Sequence, residues 1–65
     1  MKPYLVTWLK DGEDSFSSEE FGTMLGAKAL FEYWKSDKSV IACFIFDHKP
    51  MTALRKYVRN DYERD

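Results

Sequence analysis

The sequence predicts a small α+β fold, in which two helices pack on a three-stranded antiparallel sheet and the elements follow the order β-β-α-β-α. Three observations lead to this prediction. A β-branched and aromatic segment precedes an Asp-Gly pair, apolar residues recur at helical spacing in mid-chain, and a continuous apolar run follows over 40–46. Because the chain has 65 residues, we expect a single domain over 1–65.

The first two strands are predicted to form a hairpin. Residues 4–9 are rich in the β-branched and aromatic side chains that are typical of a strand. Asp11 and Gly12 favour a tight turn, because both central residues of a type I′ turn need positive φ. The chain is therefore expected to return over 14–17 as a short, polar edge strand.

A helix is expected over 17–35, because Ser17 and Glu20 have capping-box spacing. Gly22 and Gly26 each cost about 1 kcal/mol relative to alanine in a helix, so a start just after Gly22 is the alternative. The apolar residues of this segment recur close to a 3.6-residue period: Phe21, Met24, Leu25, Ala27, Leu30, Phe31 and Trp34.

The clearest strand of the sequence is predicted over 39–46. Both of its alternating faces are apolar, which indicates that the strand is covered on both sides. A second helix is expected after a break at 47–50, because Pro50 suits a first helical turn. Its apolar residues at helical spacing are Met51, Leu54, Tyr57, Val58 and Tyr62.

The expected strand order 2-1-3 places the third strand at an edge of the sheet. A long apolar edge strand invites pairing with another chain. A chain of this size also usually needs a disulfide, a metal or a partner subunit for stability. Cys43 is the single cysteine and His48 the single histidine, and neither has metal-ligand spacing. We therefore expect a homodimer, formed through the third strand or a helix face.

Composition restricts the function classes. Ten basic and eleven acidic residues give a net charge of −1 and no global attraction to nucleic acid. The apolar runs are far shorter than the ~20 residues of a membrane span, and a secretory signal is not evident. An unpaired cysteine is typical of a reducing compartment. A cytoplasmic protein without a membrane partner is therefore expected.

The leading hypothesis is a non-enzymatic protein–protein interaction module: a small regulator, adaptor or inhibitor that covers a surface of a larger protein. Aromatic residues make up 17% of the chain, and tyrosine and tryptophan are enriched in binding hot spots. Trp8 and Trp34 are expected in the core, whereas Tyr33 is expected as an exposed anchor. Short chains of this type are often encoded by phages and mobile elements, so a viral protein is expected. The predicted partner-binding residues are Tyr33, Val40, Ile41 and Phe44.

Two other function classes stay open at this point. A small nucleic-acid-binding regulator would use basic residues of the second helix, namely Lys49, Arg55, Lys56 and Arg59. A minimal enzyme would depend on Asp47 and His48, but Asp47 is expected to cap a turn and His48 to lie in a solvated loop. Cys43, in an apolar strand, is expected to pack in the core. The protein is therefore not expected to be an enzyme, and no catalytic, cofactor-binding or metal-binding residue is predicted.

Overall fold

In the residues that the structure describes, the chain forms a four-stranded antiparallel sheet with one helix on one of its faces. The computed structural model describes residues 2–49 and 51–60. The strands are hydrogen-bonded in the order β2-β1-β3-β4, and the helix contacts the first three strands of the chain. The elements are β1 Tyr4–Lys10, β2 Ser17–Phe21, α1 Met24–Lys35, β3 Val40–Asp47 and β4 Thr52–Val58.

The predicted fold of three strands and two helices is wrong, because the expected second helix is the strand β4. Leu54 and Tyr57 both pack against the core, although residues three apart in a regular strand point to opposite faces. A shift in the β3–β4 register between Ile45 and Phe46 explains this, since a bulge adds one residue to β4. The bulge therefore gives a strand the three-residue spacing of a helix. Pro50 and Tyr62, which belonged to that prediction, lie outside the described residues.

The predicted start of the first helix at Ser17 is also wrong. The segment Ser17–Phe21 pairs with β1 as β2, so the return strand of the hairpin is longer and later than expected. The helix begins at Met24, where the side chain of Thr23 accepts a hydrogen bond from the backbone N–H of Gly26 at 3.1 Å. The alternative start after Gly22 is therefore the one that the structure shows.

The prediction that β3 is an edge strand is wrong as well. The expected order β2-β1-β3 is retained, but β4 covers the outer edge of β3. The backbone groups of β3 that would pair with another chain are thus used within the sheet. Association by edge pairing of Val40–Phe46 is excluded by this topology.

The core lies between the helix and the sheet face that the helix covers. Trp8 and Trp34 pack against this core, as predicted, and their rings stack at 4.9 Å between centroids. At the hairpin a turn forms where it was predicted, since the Glu13 N–H donates to the Lys10 carbonyl at 3.0 Å and Gly12 has φ of +91°. Asp11 lacks the positive φ of the predicted type I′ turn, so the predicted turn type is wrong. The buried residues of the core cluster are Val6, Ala27, Phe31, Val40, Cys43 and Ile45.

A polar turn joins the helix to β3. The Asp37 carboxylate accepts hydrogen bonds from the backbone N–H and the hydroxyl of Ser39, at 2.9 and 2.8 Å. These two bonds hold the pKa of Asp37 below its ordinary value, because they favour the charged carboxylate. The turn directs the chain from α1 into the centre of the sheet.

Candidate protein-binding surface

The helix covers only one of the two sheet faces. Val6 of β1 and Cys43 and Ile45 of β3 lie on the covered face and are fully buried. Side chains alternate along a strand, so their sequence neighbours lie on the opposite face. In the part of the chain that the structure describes, that face has no helix or second sheet over it.

We call this uncovered surface the open face, and its centre is apolar. Across β1 and β3, Leu5 lies opposite Phe46 and Thr7 lies opposite Phe44. Leu9 and Val58 extend the same face toward the far end of the sheet, on either side of Ala42. The open face comprises Leu5, Thr7, Leu9, Phe16, Ala42, Phe44, Phe46, Lys56, Val58 and, at its β2 edge, Ser18 and Glu20.

Three phenylalanines surround an apolar hollow on the open face. Phe16, from the loop before β2, has its ring centroid 5.9 Å from that of Phe44, and Phe44 stacks on Phe46 at 5.6 Å. Together with Thr7 these rings line a cavity of about 270 Å³ that is open to solvent. Phe16 itself is 49% exposed. The hollow is thus a place where an apolar side chain of another molecule can be desolvated.

Charged side chains lie at the two edges of the open face. On the β2 edge, the Glu20 carboxylate lies 3.1 Å from Nε2 of His48. On the β4 edge, Lys56 lies opposite Phe44 and is exposed. The β2 edge therefore carries one carboxylate, in contact with His48, and the opposite edge carries one lysine.

The structure does not bring the four predicted partner-binding residues together. Val40 and Ile41 are buried, at 0% and 6% exposure. Phe44 lies on the open face, whereas Tyr33 is 63% exposed on the helix at the other side of the sheet. Sequence reasoning missed Phe16 and Phe46. Phe46 follows Phe44 by two residues and so shares its face of β3, which was a usable signal.

The four predicted nucleic-acid-binding residues follow β4 and its two ends, and the helix that was to hold them is not formed. Lys49 precedes β4 and Arg59 follows it, so about seven residues of extended chain, roughly 23 Å, separate them. Arg59 lies 3.5 Å from the Asp11 carboxylate and donates to the carbonyl of Lys38. Arg55 donates to the Leu54 carbonyl. The four side chains therefore do not form one basic patch.

Asp47 and His48 do not interact as an acid–base pair. The Asp47 carboxylate accepts from the backbone N–H of Lys49 at 3.1 Å, so it caps the turn after β3 as predicted. His48 contacts Glu20 instead. A second hollow of about 330 Å³ lies beside them, lined by Lys2, Pro3, Asp47, His48 and Lys49.

Cys43 is fully buried in the core, which confirms its predicted packing role. Its thiol lies 3.9 Å from the carbonyl oxygen of Phe31, to which it donates a weak hydrogen bond. The pKa of this thiol is raised from 9.0 to about 11, chiefly because burial disfavours the thiolate. The negative charge of Glu32 acts in the same direction and the positive charge of Lys35 opposes it.

The raised pKa of Cys43 predicts a loss of stability in alkaline solution. Because the pKa is higher in the folded than in the unfolded chain, the stabilising contribution is fully present below pH 9 and is lost as the pH rises toward 11. Urea unfolding at a series of pH values should show this loss in the wild type and not in Cys43→Ala. Alkaline effects that the two proteins share cancel in this comparison, so parallel pH profiles for the two would contradict the prediction.

Within residues 2–49 and 51–60, no group of three or more His, Cys, Asp or Glu side chains is placed to hold a metal ion. The same residues contain no helix with the length and apolar character that crossing a membrane requires.

Comparison with known proteins adds no family to this description. No protein-family model, no curated protein and no solved structure matches the chain.

Proposed function

We propose that the protein is a non-enzymatic protein-binding module, a small regulator, adaptor or inhibitor that acts by covering a surface of a protein partner. The observation that carries this proposal is the open face. Antiparallel sheets with one face in water normally carry polar residues on that face. Here the two central strands carry leucine and phenylalanine instead, so the composition of the face is that of a contact surface rather than of a solvent-facing one.

The chemistry of the open face matches that of protein interfaces. Interface cores are enriched in aromatic residues and depleted of charge, and their rims are polar. On this protein Phe16, Phe44 and Phe46 form the centre, while Glu20 and Lys56 lie at the edges. Anchors in desolvated hollows contribute most of the binding energy in such interfaces. The phenylalanine hollow is therefore the proposed hot spot.

The proposal includes a cytoplasmic site of action. Cys43 is a free thiol in the core, and disulfides are characteristic of oxidising compartments. An unpaired buried thiol supports a reducing environment.

A binding experiment with one disabled surface tests the proposed function. Phe46→Glu places a charge beside the hollow, and Leu25→Glu is the matched control because Leu25 is 81% exposed on the helix. Proteins that tagged wild type captures from expressing cells are identified, purified and titrated against all three proteins. We expect Phe46→Glu to weaken binding at least ~10-fold and Leu25→Glu to leave it within ~2-fold, because a charge buried in the interface is costly and a charge on the helix lies outside it.

The proposal is contradicted if neither a cell protein nor a second copy of the chain binds the wild type. It is equally contradicted if Phe46→Glu, shown to be folded by circular dichroism, binds every partner as the wild type does.

A further inference from the structure

We infer that the protein bound at the open face is a second copy of this chain, packed sheet against sheet about a two-fold axis parallel to the strands. This inference rests on the proposed function, because it names the partner of the same surface. Three properties of the open face support it: its size, the distribution of large and small side chains, and the placement of its charges.

The size of the open face suits another sheet of the same dimensions. Four strands about 4.8 Å apart, each about seven residues long at ~3.3 Å per residue, make a face of roughly 19 by 23 Å. Its projected area is about 440 Å² per copy, or roughly 900 Å² for two copies, which is in the range of reversible interfaces. A second copy has the same twist, so two such sheets can pack face to face about 10 Å apart with their mean strand directions aligned. We therefore expect a dimer that dissociates at micromolar concentration.

Side-chain volume on the two central strands favours one of the two aligned arrangements. On the open face, β3 carries the large rings of Phe44 and Phe46, whereas β1 carries the smaller Leu5 and Thr7. An axis parallel to the strands lays β3 of each copy over β1 of the other, so large side chains meet small ones. An axis perpendicular to the strands, within the interface plane, lays β3 over β3. Facing layers interdigitate best when large and small residues alternate.

Charge at the edges favours the same arrangement. The parallel axis lays β2 of each copy over β4 of the other, which brings Glu20 toward Lys56 of the second copy. Glu20 lies beside Leu5 of β1, whereas Lys56 lies beside Phe44, which is opposite Thr7 of β1. The two residues are therefore two positions apart along the strands. The offset is about 6.6 Å along the strands, within reach of a lysine side chain. The perpendicular axis would instead lay Glu20 over Glu20 and Lys56 over Lys56.

The inferred dimer keeps both helices on the outside. Its layers follow the order helix, sheet, sheet, helix, because α1 lies on the face opposite to the contact. Tyr33 remains exposed on each helix in this arrangement. A surface for a larger protein is thus left available on both sides of the dimer.

Charge reversal at the two edges tests the inference. The wild type, Lys56→Glu, Glu20→Lys and the double variant are compared by sedimentation equilibrium from about 1 to about 500 μM, the range that brackets a micromolar Kd. Each single variant should raise the dimer Kd at least ~10-fold, because like charges then face each other across the interface. The double variant should return to within ~3-fold of the wild type. Lys28→Glu, an exposed helix substitution, is the matched control and should not change the Kd.

Cysteine cross-linking tests the axis without relying on charge. A mixture of a Glu20→Cys chain and a Lys56→Cys chain treated with a bifunctional maleimide should give covalent heterodimers, while either chain alone should not cross-link. The reagent must span about 10 Å, because sheets ~10 Å apart hold these thiols too far from each other for a direct disulfide. Cys43 is buried and does not compete in the folded chain. Cross-linking of Glu20→Cys with itself would overturn the parallel axis.

A wild type that stays monomeric over the whole concentration range would overturn the dimer. The proposed function would still stand in that case if Phe46→Glu abolished binding of a different protein. If neither charge reversal changes the dimer Kd and no mixed cross-link forms, self-association takes place on another surface and the inference is overturned.

Discussion

Replacing Phe31 with alanine is expected to lower the free energy of unfolding by about 3 to 5 kcal/mol, the usual cost of removing a buried phenyl ring. Phe31 is only 4% exposed and belongs to the core cluster that joins the helix to β1 and β3. A 65-residue domain has a total stability of roughly 3 to 10 kcal/mol. The substitution should therefore remove a large share of the total stability, as urea titrations followed by circular dichroism will show.

Leu25→Ala is the matched control on the same helix. Leu25 is 81% exposed, so its truncation should change the free energy of unfolding by no more than about 0.5 kcal/mol. Equal losses in the two variants would mean that the helix does not pack on the sheet through Phe31.

Local sequence was sufficient to predict β1, β3 and the body of the helix. Each has one dominant pattern: β-branched and aromatic residues over 4–9, a continuous apolar run over 40–46 and a 3.6-residue period before Lys35. The Asp-Gly pair also predicted the turn of the hairpin, where Gly12 has positive φ, although Asp11 does not and the turn is therefore not type I′. In these segments propensity and tertiary packing favour the same structure.

The remaining elements depend on contacts that local patterns do not contain. Ser17–Phe21 has a helix-capping spacing, yet the strand β1 beside it supplies hydrogen bonds along its full length. Thr52–Val58 has apolar residues at helical spacing, yet a bulge lets Leu54 and Tyr57 share one face of a strand. In both segments, pairing with a neighbouring strand overrides the local preference.

The sequence pattern of β3 did not predict that one of its apolar faces lies open. The apolar character of both faces of β3 predicts cover on both, and the sequence leaves open whether the two expected helices lie on opposite faces of the sheet or on one. The segment expected as the second helix instead extends the sheet, so Phe44 and Phe46 lie uncovered in the single chain. The second copy inferred above would supply the layer that this pattern predicts. A single-sequence pattern does not distinguish these two kinds of cover.

Replacing Trp34 with alanine is expected to lower the free energy of unfolding by about 3 kcal/mol. This value is at the lower end of the usual cost of a Trp→Ala substitution, because Trp34 is only half-buried. Its ring stacks on Trp8 at 4.9 Å with 19° between the planes, and Nζ of Lys10 lies 4.8 Å from the ring centroid. Tyr33 adds an edge-on contact at 4.9 Å. Truncation removes all three contacts at the end of the core, and urea unfolding followed by circular dichroism measures the loss.

Trp34→Phe separates the stacking from the polar part of this side chain. The indole Nε1 is buried and has no hydrogen-bond partner among the described residues, and a buried unpaired donor costs about 1 to 3 kcal/mol. Phenylalanine removes that donor and keeps an aromatic ring against Trp8. The stability gained by removing the unpaired donor should therefore offset the stability lost with the smaller buried ring area. We therefore expect Trp34→Phe to unfold within about 1 kcal/mol of the wild type. A loss as large as that of Trp34→Ala would show instead that the indole N–H is paired in solution, and that the ring is held by a polar contact as well as by stacking.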